Sequence, residues 1–154
     1  QSLLQREGIS PRLLEVEITE NLFLEDREEG LAFLEALREM GVSVSIDDFG
    51  TGFSSLNYLS FLPVDVVKLD GSLVVRFLED GKHGSLSELV SFVRSLGLTV
   101  VAEGIERSDQ VAYLRDSGCD LIQGYYFSRP VPPEEVPSLN GRVFDMGDGD
   151  GSVQ

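Results

Sequence analysis

Basic residues are scarce in this chain. Lysine and arginine total 12 against 27 aspartates and glutamates, a formal net charge of −15 over 154 residues. Such a surface repels polyanions, which excludes a general nucleic-acid binder. Away from any motif, an acidic balance serves solubility. Cysteine is almost missing: Cys119 stands alone. No intrachain disulfide can form, and a reducing, cytoplasmic setting is expected. Beside an apolar run, this thiol reads as an inert core residue. The single histidine, His83, lies in a Gly-Lys-His-Gly stretch expected to be a solvated loop. A His-based triad or a His-rich zinc site has no material here. No apolar run approaches the roughly 20 residues needed to cross a bilayer. No signal peptide is expected either. With 42% hydrophobic residues, the chain is one globular domain or part of one. It opens at Gln1 in what reads as a helix end, as expected of a piece cut from a longer protein.

Five short apolar runs are present: Leu13 to Glu20, Val42 to Asp48, Val64 to Asp70, Thr99 to Glu106 and Leu121 to Phe127. Helical patterns separate them. Leu31, Phe33, Leu34 and Leu37 precede Gly41. A Ser85/Glu88 capping-box pattern opens a stripe of Leu86, Leu89, Val90, Val93 and Leu96 that stops at Gly97. A third helix is predicted near Asp109 to Ser117, before Gly118. Helix, glycine, strand is the rhythm of βαβ units with a parallel sheet. The predicted fold is α/β, a partial (β/α)8 TIM-like barrel of about five parallel strands with flanking helices; a closed barrel needs about eight. A shorter helical stretch is predicted between Thr51 and Leu62. Residues 1–137 form the expected domain, and 138–154 an acidic, glycine-rich flexible tail.

The runs end in polar groups. Along a strand, side chains alternate faces. Val44 and Ile46 therefore oppose Ser43, Ser45 and Asp47, and Val16 and Ile18 oppose Glu15 and Glu17. The aliphatic face suits covering helices. The polar face finishes at the carboxyl ends, where such folds place their chemistry. Glu17 in Glu-Ile-Thr-Glu reads either as a metal ligand or, with Thr19 and Glu20, as part of a helix cap. Asp47 and Asp48 end a strand before Phe-Gly-Thr-Gly. Adjacent carboxylates repel, and a cation relieves them; the alternative is an ordinary Asp-rich turn. The Asp-Phe-Gly match to protein kinases fails, because the catalytic and phosphate loops of that fold are absent. Lys68, inside Val-Val-Lys-Leu-Asp, is a buried ammonium that needs a partner. Asp70 or the acidic cluster could serve, for a structural ion pair or for a phosphate or water. Glu103 and Glu106 flank a glycine turn, and Gln123 is a neutral polar group at the last run. Hard oxygen ligands of this kind suit magnesium or manganese.

Taken in order, Glu-Ile-Thr-Glu, DDFGTGFSSL, KLD, AEGIE and QGYYFSRP resemble the C-terminal part of the EAL family of cyclic di-GMP phosphodiesterases, over about Leu3 to Glu135. The resemblance implies a modified β/α barrel that hydrolyses cyclic di-GMP to linear pGpG at a two-metal magnesium or manganese site, in bacterial second-messenger signalling. It implies metal ligation by Glu17, Asp47, Asp48 and Glu103, with Glu103 also a proposed general base. Lys68 would stand beside the attacking water, and Gln123 would hold the water network. Glu20 would anchor the loop from Phe49 to Leu56, and Glu106 would lie at the substrate edge. Asp70 is grouped with these two as a substrate- or loop-side acid. A homodimer through the region near 49–62 is implied as well. The Glu-Ala-Leu motif and the Asn-x-Ser ligand of the family are not in this sequence and would fall before Gln1. Truncation is therefore expected, with an active intact domain and the activity of this piece left open. Gly71 and Leu73 also replace residues that are usually larger or aromatic. Two other readings stand beside the enzyme: an inactive cyclic di-GMP receptor or protein-interaction module, and an unrelated magnesium-using barrel enzyme. An intact upstream Glu-Ala-Leu segment favours the first reading, and a replaced glutamate the receptor.

Overall fold

A computed structural model of the chain describes residues 2–19, 27–51 and 59–144. The elements are α1 (Ser2–Glu7), β1 (Glu15–Thr19), α2 (Arg27–Glu39), β2 (Ser43–Phe49), β3 (Val66–Leu69), α3 (Gly71–Glu79), α4 (His83–Ser95), β4 (Thr99–Ala102), α5 (Ser108–Asp116), β5 (Leu121–Ile122) and α6 (Val136–Leu139). The five strands form one sheet in the order β1-β2-β3-β4-β5. Every pairing is parallel. Parallel neighbours that are also consecutive in sequence need a crossover between them. The result is an open arc of a β/α barrel, as the run-and-glycine pattern predicts.

One sheet face carries the core. Val44, Ile46, Val67, Leu69, Val100 and Ala102 pack with Leu34, Val74, Leu86, Val90, Val93, Val111 and Leu114 from the helices. Burying a side chain of this size contributes about 1.5–3 kcal/mol. On α2 the stripe is narrower than predicted: Leu34 is buried, whereas Phe33 points to solvent.

Two aspartates stitch the amino-terminal side of the sheet. Asp65 accepts from the Val44 backbone N–H at 3.0 Å and pairs with Arg38 of α2 at 3.2 Å. Asp120 repeats the device, accepting from Val100 N–H at 2.9 Å and pairing with Arg94 of α4 at 3.3 Å. Each acid thus ties a strand start to the helix preceding that strand.

Three expectations change. The Ser85/Glu88 capping box does not form. Helix α4 already begins at His83, with Lys82 as its N-cap and no side-chain cap bond, so Ser85 lies inside the helix and donates its N–H to Lys82 O. His83 correspondingly belongs to the helix and not to a loop. The run from Leu121 to Phe127 is strand only at its first two residues. The chain then turns, because Gly124 lies flat on the backbone of Ile105; a Cβ there would sit 2.0 Å from Ile105 O. Beyond the turn, α6 reaches Leu139, and the Phe144 ring meets Phe127 edge-on at 5.0 Å. The stretch predicted helical between Thr51 and Leu62 falls largely in residues 52–58, outside the described residues.

Candidate active site

The polar ends of four strands meet at one mouth. Hydrogen bonds continue past the strand ends and set their relative heights. Asp70 N–H donates to Phe49 O at 3.3 Å, Glu103 N–H to Leu69 O at 2.9 Å, and Gln123 N–H to Ala102 O at 2.8 Å. These bonds align Asp47 and Asp48, Asp70, Glu103 and Gln123 along one rim.

Lys68 occupies the centre. Only 8% exposed, it rises from β3 on the polar sheet face. Its Nζ donates to Glu17, lies 2.8 Å from Glu103 Oε1, and lies 3.7 Å from Asp47 Oδ1. Burial alone would lower the ammonium pKa. Its contacts with Glu103 and Glu17 and the charge of Asp47 overcome that, and hold it well above the ordinary lysine value. The predicted choice of partners thus resolves towards the acidic cluster. Asp70 instead caps α3, where its side chain accepts from Ser72 N–H at 2.9 Å and from the Ser72 hydroxyl.

The cluster is underbalanced. Three carboxylates face one ammonium, leaving a formal charge of −2. Asp47 Oδ1 and Ser45 Oγ, both on β2, are buried without a hydrogen-bond partner, and the buried Glu103 Oε1 meets Lys68 Nζ at 2.8 Å. Like charges about 4 Å apart at an effective dielectric near 20 repel by about 4 kcal/mol. Hard oxygen donors with residual negative charge suit a hard divalent cation. Among the described residues, however, no three acids, histidines or cysteines are placed to enclose an ion by themselves. The point on which the acids converge holds Lys68.

Asp48 differs from Asp47. The β2–β3 register breaks between Ile46 and Phe49, and Asp48 adopts φ 54°. This left-handed conformation costs a non-glycine residue about 1–2 kcal/mol. Thr51 supports it, its hydroxyl and N–H both donating to Asp48 O at 3.0 and 3.2 Å. The break frees two consecutive acids from strict strand alternation, as bulges beside active sites do. Asp48 is exposed on the rim. Glu20 lies outside the described residues.

Glu106 is exposed at the lip of a 350 Å³ cleft shared with Asp70, Gly71, Ser72, Gly104, Arg107 and Gln110. Gln110 was not anticipated. Buried on α5, its side-chain oxygen accepts from the N–H groups of both Glu106 and Arg107 at 2.9 Å, pinning the turn that follows Glu103. Gln123 lines a second cavity of 540 Å³ with Tyr125, Phe127 and Arg129. The Arg129 guanidinium lies over the Tyr125 ring at 4.7 Å, a cation–π contact that motif reading left unnoticed.

Comparison with known proteins agrees with this arrangement. The family profile described as EAL domain matches residues 1–130. The cyclic di-GMP phosphodiesterase NbdA of Pseudomonas aeruginosa is 43% identical over 130 residues, covering 84% of this chain and 17% of the relative. The chain spans a fifth or less of the length of such curated relatives. Among solved structures, the PaMucR phosphodiesterase in its c-di-GMP complex superposes with a TM-score of 0.79 at 39% identity, covering 88% of this chain and 55% of that one. Klebsiella pneumoniae BlrP1, as a manganese and cyclic di-GMP complex, gives a TM-score of 0.75 at 35% identity over 84% of this chain and 33% of its own. BlrP1 has also been solved with calcium and cyclic di-GMP. With its motifs, its sheet and its acidic mouth all in agreement, the chain belongs to the EAL domain family.

Proposed function

We propose that the domain to which this chain belongs hydrolyses one phosphodiester bond of cyclic di-GMP, giving linear pGpG, with the help of divalent cations. The observation that carries this reading is the convergence of Glu17, Asp47 and Glu103, from three different strands or strand ends, on one buried point. The named phosphodiesterase relatives, and neighbours solved with cyclic di-GMP and manganese or calcium, support it.

In this reading Glu17, Asp47, Asp48 and Glu103 would hold magnesium or manganese, which would supply charge to offset the phosphate and lower the pKa of a bound water. The remaining work falls to the protein's own groups. Lys68 carries a permanent charge at neutral pH and can orient the attacking water or stabilise phosphoryl oxygens. Glu103, beside it, is proposed as the general base as well as a metal ligand. Gln123 offers an amide that can donate to water or to a non-bridging oxygen. Glu106 and the Gln110-braced turn border the substrate. Asp70 supports the rim through its cap on α3, and Glu20 is proposed to anchor the loop after Phe49. The same family likeness supports a homodimer through residues near 49–62. Membrane attachment would need other parts of the parent, since no described helix is long and apolar enough to cross a bilayer.

The test is an assay of pGpG formation by the intact parent domain with magnesium or manganese. Asp47→Ala and Glu103→Ala should each lower kcat at least 100-fold. Tight cyclic di-GMP binding without turnover in the unmutated domain would favour the receptor reading instead.

A further inference from the structure

We infer that Gln110 is a positioning residue for substrate binding: from the first turn of α5 it sets the direction of Glu106, and through it the fit of the substrate edge. This rests on the proposed function, which puts Glu106 at that edge, and adds a residue to it. Gln110 is 3% exposed and stands at the third position of α5. Its Oε1 accepts from the N–H groups of Glu106 and Arg107, each at 2.9 Å. Those two N–H groups belong to the peptide units on either side of the Glu106 Cα. Planar peptides leave φ and ψ as the only soft angles between them. One oxygen holding both units therefore sets φ and ψ of Glu106, and with them the line along which its exposed side chain leaves the backbone. In an ordinary capping box the third helical residue reaches back to the N-cap N–H. The N-cap here is Arg107, and Gln110 reaches one residue further.

The earlier part of the turn is held by other bonds. Glu103 N–H donates to Leu69 O at 2.9 Å, Ile105 N–H to Gln123 O at 3.1 Å, and Tyr126 N–H to Ile105 O at 3.0 Å. The Ile105 side chain is fully buried. Gly71 packs against the same turn, where a Cβ would stand 2.7 Å from Glu103 O. Glu103 and Ile105 are thus clamped to β3 and to the Gln123 turn, whereas Glu106 answers to Gln110. The acid at the centre of the mouth and the acid at the lip of the cleft are fixed by separate contacts. Loss of the Gln110 oxygen should loosen the second and leave the first in place.

The test is steady-state pGpG formation by the intact parent domain. Gln110→Leu should raise KM for cyclic di-GMP about tenfold and keep kcat within about twofold, the split that marks binding lost equally from ground state and transition state. On a Glu106→Ala background the same change should add less than about twofold to KM, because both act through one group. Gln110→Glu keeps an oxygen for both N–H groups and should hold KM within about threefold of the unmutated value. Should Gln110→Leu not fold, Gln110→Asn, one methylene too short to reach both N–H groups, is read in its place. If the parent binds cyclic di-GMP without turnover, Kd is read instead of KM. An unchanged KM or Kd, a fall in kcat as large as the rise in KM, or full additivity in the double variant overturns the inference and leaves the phosphodiesterase reading standing. A parent domain that neither hydrolyses nor binds cyclic di-GMP overturns both.

Discussion

The bend that ends the fifth strand depends on one missing methyl group, and Gly124→Ala should expose that dependence. An alanine Cβ at this position would lie 2.0 Å from Ile105 O, 2.3 Å from Ile105 N and 2.6 Å from Ile105 C. All three are backbone atoms, so no rotamer change relieves the contact. Reaching even 3.0 Å from the carbonyl oxygen requires a shift of about 1 Å. Two hydrogen bonds are in the path of that shift: Ile105 N–H to Gln123 O at 3.1 Å, and Tyr126 N–H to Ile105 O at 3.0 Å. Losing them costs about 1 kcal/mol each, and overpacking adds about 1–3 kcal/mol. The expected destabilisation is about 3–5 kcal/mol. With a urea m-value near 2 kcal/mol/M, the midpoint should fall by about 2 M. Gly84→Ala is the control. It lies within α4, where a Cβ meets nothing within 4 Å, and should raise stability by about 0.5–1 kcal/mol. Urea unfolding followed by circular dichroism reads both. A Gly124→Ala midpoint equal to that of the unmutated protein would refute the close packing of the Gln123 turn on Ile105.

Further outcomes follow from the same contacts. Asp65→Ala and Asp120→Ala each remove an acceptor from a strand N–H together with an ion pair to a helix. Each should cost about 1–3 kcal/mol in urea unfolding, and the two should be nearly additive because they brace different strands. Lys68 should give stability a signature at alkaline pH. Its folded pKa is raised above the unfolded value, so its contribution is complete below about pH 10.4 and fades as pH climbs towards the folded value. The stability gap between the unmutated protein and Lys68→Met should therefore be constant from pH 7 to 9 and narrow above pH 10.5; a gap that widens there contradicts the ion-pair assignment. Burial, assisted by the charge of Asp120, pushes the Cys119 thiol up to about 11. Iodoacetamide at pH 8 should alkylate it far more slowly than a model thiol, until denaturant exposes it.

How much of this was legible beforehand depended on range. Strand centres could be read because each obeys period-two alternation within its own segment: Val44 and Ile46 inward, Ser45 and Asp47 on the other face. The acids at the strand ends could be read for the same reason. Gln110, Asp65 and Asp120 gave no such signal. Gln110 acts on backbone N–H groups three and four residues away, and the two aspartates act on strands about 20 residues back. No local pattern distinguishes them from solvated polar residues. The Ser85/Glu88 pattern misled because a match of residue types does not fix where a helix begins, and α4 gained its first turn from His83 onward. The fifth run misled because its apolar composition continues through Tyr125 to Phe127, while the contact of Gly124 with Ile105, nineteen residues upstream, bends the chain. For Lys68, alternation gave the face but not the partners. Asp70 is nearer in sequence, yet it caps α3, and the ammonium goes to acids 51 and 35 residues away.

The most direct measurement is a crystal structure of the parent domain soaked in manganese, with the ion located by anomalous scattering. The account predicts a peak within bonding distance of carboxylate oxygens from Glu17, Asp47 and Glu103. A manganese ion bound only elsewhere, away from those three acids, would contradict it.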